Sequence, residues 1–168
     1  MNLGDTQYPK TVALPDGSVD FAFATEIIEH LYSVRPLFEE LDRLLKPGGA
    51  VYVTTPNVSY WVSMLRLLRG ETNLDVDLFK TSALAQNEWR GHVRYYSLNQ
   101  LNYLVQHFDF EVIGQGYFHP SLPLFIINKK WRLLQFFKKS FDFFMPPVYQ
   151  VMLEIIFRKP TTLSDYII

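Results

Sequence analysis

The sequence predicts an α/β fold in a single domain, with strands of a parallel sheet covered on both faces. Three observations carry that reading. A strand-length apolar run, an amphipathic helix stopped by Pro47-Gly48-Gly49 and a second apolar run follow one another within about 40 residues, which is a βαβ unit. Two further strand candidates lie downstream. The chain has 168 residues, 48% of them hydrophobic and 20% charged, enough for one core and against disorder as its bulk state.

The elements follow in order. Pro15-Asp16-Gly17-Ser18 is a turn signal. Val19–Ala24 is apolar with little alternation, as in a strand buried on both sides. Glu26–Leu31 reads as a helical turn. Pro36 suits a first helical position, and Leu37, Leu41, Leu44 and Leu45 recur at helical spacing until the Pro-Gly-Gly stop. Ala50–Thr55 is the second strand, ended by Pro56. Residues 59–69 look helical and 70–92 read as a polar loop or lid. Ser97 is an N-cap for a helix over 98–107, Phe110–Phe118 is a third strand and Tyr149–Phe157 a fourth. Between the last two, 130–144 places Leu133, Phe136, Phe137, Phe141 and Phe144 opposite Arg132, Gln135, Lys138, Lys139 and Asp142, an amphipathic helix.

Composition narrows the function classes. Net charge is −1, so nucleic-acid binding by bulk charge is not expected, and the absence of cysteine excludes a disulfide scaffold, a thiolate metal site and a cysteine nucleophile. No apolar run approaches a membrane span, and the first ten residues do not read as a signal peptide. A cytoplasmic protein is the expectation. Residues 1–42 carry eight acids against Lys10 and Arg35, whereas 129–139 carry five bases and no acid. Those bases suggest an anionic partner or a solvated helix face, and the aromatic stripe beside them reads either as core packing against the sheet or as peripheral membrane contact through 129–144.

LPDGSVDFAFATEIIEHL, LKPGG and VYVTTPN, in that order over Leu14–Asn57, closely resemble the second half of class I S-adenosylmethionine-dependent methyltransferases. The subgroup they resemble is the methyltransferase type 11 and ubiquinone-biosynthesis O-methyltransferase kind. GHVRYYSLNQL resembles the family's segment before its last crossover helix. The resemblance implies a truncated Rossmann-like sheet of family strands 4-5-7-6, with the last strand antiparallel and strand 19–24 at an edge. It divides the chain into a core match over 1–118, an aromatic and basic insertion over 119–148 and a closing strand over 149–159, all one partial domain. The family's glycine-rich turn after its first strand has no counterpart, because the one G-x-G, Gly114-Gln115-Gly116, sits at a late strand. The expectation is therefore a methyltransferase part lacking its N-terminal cofactor-binding half and inactive alone. A complementary N-terminal chain or self-association would cover its exposed edge. The alternatives are an inactive remnant serving as a binding module and a membrane-surface protein.

Site expectations follow from the same match. Asp5, Thr25 and Glu26 would contact S-adenosylmethionine, although the match at Asp5 is only two residues long and favours an N-terminal surface turn there. Glu26, Glu29 and His30 form E-x-x-E-H, whose members would share one helical face. With His92 they resemble the Mg²⁺ or Mn²⁺ site of some quinone and small-RNA methyltransferases. Other relatives carry the motif without metal, lining the pocket or capping the helix. His30 or His92 would serve as base toward an acceptor hydroxyl on a small-molecule or lipid-like acceptor. Asn57 would touch the acceptor or simply close a turn. His107 and His119 read as surface or structural residues.

Overall fold

The structure, a computed structural model, describes residues 12–71, 92–118 and 146–161. The 130–144 helix, the 72–91 part of the expected loop, Asp5 and His119 lie outside the described residues. Four strands form one sheet: β1 (Val19–Thr25), β2 (Leu45–Pro56), β3 (Glu111–Phe118) and β4 (Met152–Arg158), in the order β1-β2-β4-β3. β1 and β2 are parallel, and β4 runs antiparallel to both of its neighbours. This is the expected 4-5-7-6 arrangement, with β1 and β3 at the edges. Helices α1 (Arg35–Leu44), α2 (Trp61–Leu68) and α3 (Leu98–His107) complete the order.

Local chemistry explains the elements. Pro36 sits in the first turn of α1, which buries Phe38, Leu41 and Leu44. The Ser97 hydroxyl accepts from the Gln100 main chain, and the Gln100 side chain accepts from Ser97 N–H, a reciprocal capping box that starts α3. One sheet face carries Ala24, Val51, Val53, Leu153, Ile155 and Phe157. Against it α1 and α3 set Phe38, Leu41, Leu101 and Val105, with Phe110 alongside. Phe38 stacks on Phe108 at 4.6 Å and on Phe157 at 5.7 Å. The other face carries Phe21, Phe23, Tyr52, Glu154 and Ile156, with Phe23 70% exposed and Phe21 45%. The expectation that the first strand is covered on both faces does not hold.

Four boundaries differ from the sequence reading. α1 ends at Leu44, and Lys46–Gly49 are not a helix stop but a bulge inside β2, where the register jumps from Val19↔Leu45 to Phe21↔Ala50. Gly49 is required there, since a Cβ would lie 2.9 Å from Lys46 O and 3.0 Å from Val19 O. The helical turn expected over Glu26–Leu31 is a single 3-10 turn at Ile28–His30. β1–β2 pairing continues one residue further than the motif suggests, with Glu26 N–H donating to Thr54 O, and Glu26 then turns the chain at φ 54°. β4 begins at Met152 rather than Tyr149, because Pro146 and Pro147 lead into a 3-10 turn at Pro147–Tyr149. α2 buries none of its residues and leaves Leu68 83% exposed. No helix among the described residues is long and apolar enough to cross a membrane.

Candidate functional site

Two adjacent threonines at the carboxyl end of β2 organise the site. Side chains alternate along a strand, so Thr54 and Thr55 address opposite faces of the sheet. Thr54 Oγ1 donates to Glu26 Oε1 at 3.1 Å, and Thr55 Oγ1 donates to Glu29 Oε2 at 3.0 Å. Both glutamates follow β1, the parallel partner of β2, at the strand ends where doubly wound sheets place ligands.

Glu29 is 0% exposed, and its second oxygen, Oε1, is buried with no hydrogen-bond partner. Two imidazoles face that oxygen at longer range, His30 Nε2 at 3.9 Å and His92 Nε2 at 4.0 Å. The rings of His30 and His92 meet edge to face, 4.7 Å apart. His92 arrives from far along the chain because Glu29 O accepts from Val93 N–H at 2.8 Å and from Arg94 N–H at 3.2 Å. A buried carboxylate with an unpaired oxygen demands compensation, and the imidazoles are the groups placed to give it.

Three of the four residues expected to share a metal site therefore come together. One ligand atom each from Glu29, His30 and His92 lies within 4.8 Å of the others. Glu26 is the exception: without the helical turn its carboxylate goes to Thr54 instead of joining the imidazoles. A divalent ion would find one carboxylate oxygen and two imidazole nitrogens, and would need further oxygen donors from substrate or water. The Glu26 carboxyl is raised above its ordinary range, chiefly by burial and next by the charge of Glu29; the Thr54 hydrogen bond and His30 oppose the rise. Its left-handed backbone is a strained conformation for glutamate.

The remaining candidates separate cleanly. Thr25 is exposed at the end of β1, beside Glu26. Asn57 closes a turn: its amide donates to Val148 O at 2.8 Å and Gln150 O at 2.7 Å, and its Oδ1 accepts from Ser59 N–H at 2.9 Å. It bridges to Tyr96 as well, so it fastens three segments at the end of β2. Gly114 and Gly116 pair with Ile156 and Glu154, and a Cβ on Gly116 would lie 2.9 Å from Glu154 Oε1. That glycine pair serves strand packing. His107 stacks on Tyr103 at the surface. Two residues escaped the sequence reading: Thr55, seen only as a strand end, and Tyr95, whose hydroxyl lies 3.2 Å from His92 Nδ1. Three-residue spacing from His92 is its sole sequence signal.

Sheet order, the parallel β1–β2 pair and polar groups gathered at its carboxyl end define the class: a Rossmann-like α/β domain of the methyltransferase type. A family model described as a methyltransferase domain matches residues 2–115, and the chain belongs to that S-adenosylmethionine-dependent methyltransferase family. A curated Mycolicibacterium smegmatis protein, named a probable S-adenosylmethionine-dependent methyltransferase, is 46% identical over 44 residues, 26% of this chain and 17% of that protein. Among solved structures, an S-adenosylmethionine-dependent methyltransferase from Mesorhizobium loti superposes with TM-score 0.53 at 16% identity, covering 89% of this chain and 66% of its own. A second from Methanosarcina mazei has TM-score 0.54 at 16% identity, covering 91% and 65%. The chain thus spans about two thirds of these structures and a sixth of the curated relative.

Proposed function

We propose that this chain carries the acceptor side of an S-adenosylmethionine-dependent methyl transfer, with a small-molecule or lipid-like acceptor. The observation that supports this is the buried Glu29 carboxylate facing two imidazoles at the carboxyl end of the parallel strands. When bound, S-adenosylmethionine supplies a methyl group on a positively charged sulfonium. The acceptor must lose a proton as its new bond to carbon forms. His30 or His92 takes that proton, and Glu29 stabilises the resulting imidazolium by charge at close range. Thr25 and Glu26, at the carboxyl end of β1, would contact the cofactor, and the Glu26 carboxylate would favour its sulfonium. Asp5 belongs to the same proposed contact set.

The reading requires polypeptide that supplies the glycine-rich cofactor turn, so the 168-residue chain alone should bind cofactor weakly. Calorimetry with S-adenosylhomocysteine, on this chain alone and mixed with the N-terminal half of a family member, tests it. Transfer of labelled methyl by the mixture, abolished by Glu29→Gln, is the expected result. Low-micromolar binding by the chain alone, or transfer indifferent to Glu29→Gln, would overturn it. Added Mn²⁺ separates proton transfer from metal assistance in the same assay: transfer that depends on the ion would assign Glu29, His30 and His92 as its ligands.

A further inference from the structure

Tyr95 occupies a position that the methyl-transfer reading leaves unused. Its hydroxyl stands 3.2 Å from His92 Nδ1, the two rings meet edge to face at 5.5 Å, and the other ring nitrogen, Nε2, faces Glu29 Oε1 at 4.0 Å. The main chain carrying this pair is held at both ends. Val93 and Arg94 donate to Glu29 O on one side, and Tyr96 O accepts from Val58 N–H on the other. The ring is therefore placed by the backbone, and what stays to be decided is which nitrogen holds the proton.

A neutral imidazole has one N–H and one lone pair. Beside a buried carboxylate the N–H belongs on Nε2, because a lone pair there would face the unpartnered Glu29 oxygen. Nδ1 is then the acceptor, and the phenolic O–H of Tyr95 donates to it. Thr55 Oγ1 completes the line by donating to the far carboxylate oxygen at 3.0 Å. Tyr95 then donates to His92, and His92 and Thr55 turn their hydrogens toward the two oxygens of the buried Glu29 carboxylate.

We propose that Tyr95 is a positioning residue that locks His92 in the Nε2–H tautomer and fixes it as the permanent partner of Glu29. The inference rests on the methyl-transfer reading and sharpens it. With Nδ1 accepting from Tyr95 and Nε2–H turned toward Glu29, His92 orients the carboxylate, and the proton leaving the acceptor goes to His30, the more exposed imidazole (38% against 18%).

Long-range proton–nitrogen spectra of the ¹⁵N-histidine-labelled 168-residue chain, at one neutral pH, read the tautomer directly. His92 should show the Nε2–H form, and Tyr95→Phe should lower its ratio to the Nδ1–H form several-fold while His107 stays unchanged. Should Tyr95→Phe fail to fold, Glu29→Gln removes the charge with little change of shape and should lower the same ratio. An Nδ1–H His92 in the unsubstituted chain, or a ratio untouched by the substitution that folds, would overturn the proposal. The readout needs neither cofactor nor acceptor. A chain with the expected tautomer that never supports methyl transfer would fail the functional reading alone, and transfer with the opposite tautomer would fail this one alone.

Discussion

The two faces of the sheet are built on opposite terms. On one, α1 and α3 close over Val51, Val53, Ile155 and Phe157, and aromatic rings stack from Phe108 through Phe38 to Phe157. On the other, Phe21 and Phe23 stand largely in solvent beside Tyr52, and Tyr52 O–H donates to Glu154 Oε2 at 2.8 Å. The same contrast divides the two glutamates. Glu29, held by Thr55 on the closed face, is sealed and answered by imidazoles. Glu26, held by Thr54 on the open face, has an accessible residue surface but a partly shielded carboxyl, and its backbone is strained. Identical hydroxyl–carboxylate pairs one residue apart therefore serve different chemistry, because the strand's alternation places one in the core and the other outside it. An exposed aromatic face on a sheet is also a surface that invites covering.

The sharpest way to break this contrast is to truncate one phenylalanine on each face. Phe157→Ala removes a 0% exposed ring and should cost about 3–5 kcal/mol in urea unfolding, whereas Phe23→Ala should cost less than about 0.5 kcal/mol. Equal losses would mean that the second face is covered in the folded protein. The threonines give the next largest effect. Thr55→Val withdraws the hydroxyl from a dry carboxylate and should cost about 1–3 kcal/mol. Thr54→Val takes a hydroxyl from a carboxylate that water already reaches and should cost less than half as much. Thr55→Ser, which keeps the hydroxyl, should recover most of the loss.

The smallest effect concerns Glu26 and pH. Its carboxyl is raised on folding, so the folded chain binds a proton more readily than the unfolded one. That group's contribution therefore declines as pH rises from the ordinary carboxylate range through the raised value, and stays unfavourable above it. Glu26→Gln removes the penalty. Thermal unfolding should show the variant more stable by no more than about 2 °C at pH 7, with the gain vanishing on acidification below the ordinary carboxylate range. A loss of stability at pH 7 would show that the Thr54 hydrogen bond outweighs burial.

Much of the architecture was legible because it rests on local signals. Helical spacing of Leu37, Leu41 and Leu44, the Ser97 cap with Gln100 three residues on, and the apolar runs at 19–24 and 50–55 each state their element within a few residues. Order and direction of the strands came from the motif series LPDG, E-x-x-E-H, PGG and TTPN, which resembles a family whose sheet is known. Boundaries failed where a tertiary bond overrode local preference. Glu26 was read into a helix, but its N–H completes the ladder to Thr54 O and its backbone then turns at φ 54°, outside the right-handed helical region. Pro47-Gly48-Gly49 was read as a stop, but Gly49 lies against Val19 O inside the sheet.

Membership of the family, the four strands and the residue types of the site were set by the sequence itself, since periodicity, capping and motif spacing act over short distances. Which of those residues meet was decided only in three dimensions. Nothing in the spacing of Glu29 and His92 says that Val93 and Arg94 will donate to Glu29 O, that Tyr95 will face the imidazole, or that Thr55 rather than Thr54 will reach Glu29. Those contacts depend on the register of β1 against β2 and on the return of a distant segment to the strand ends, and side-chain alternation turns a one-residue difference in register into the opposite face of the sheet.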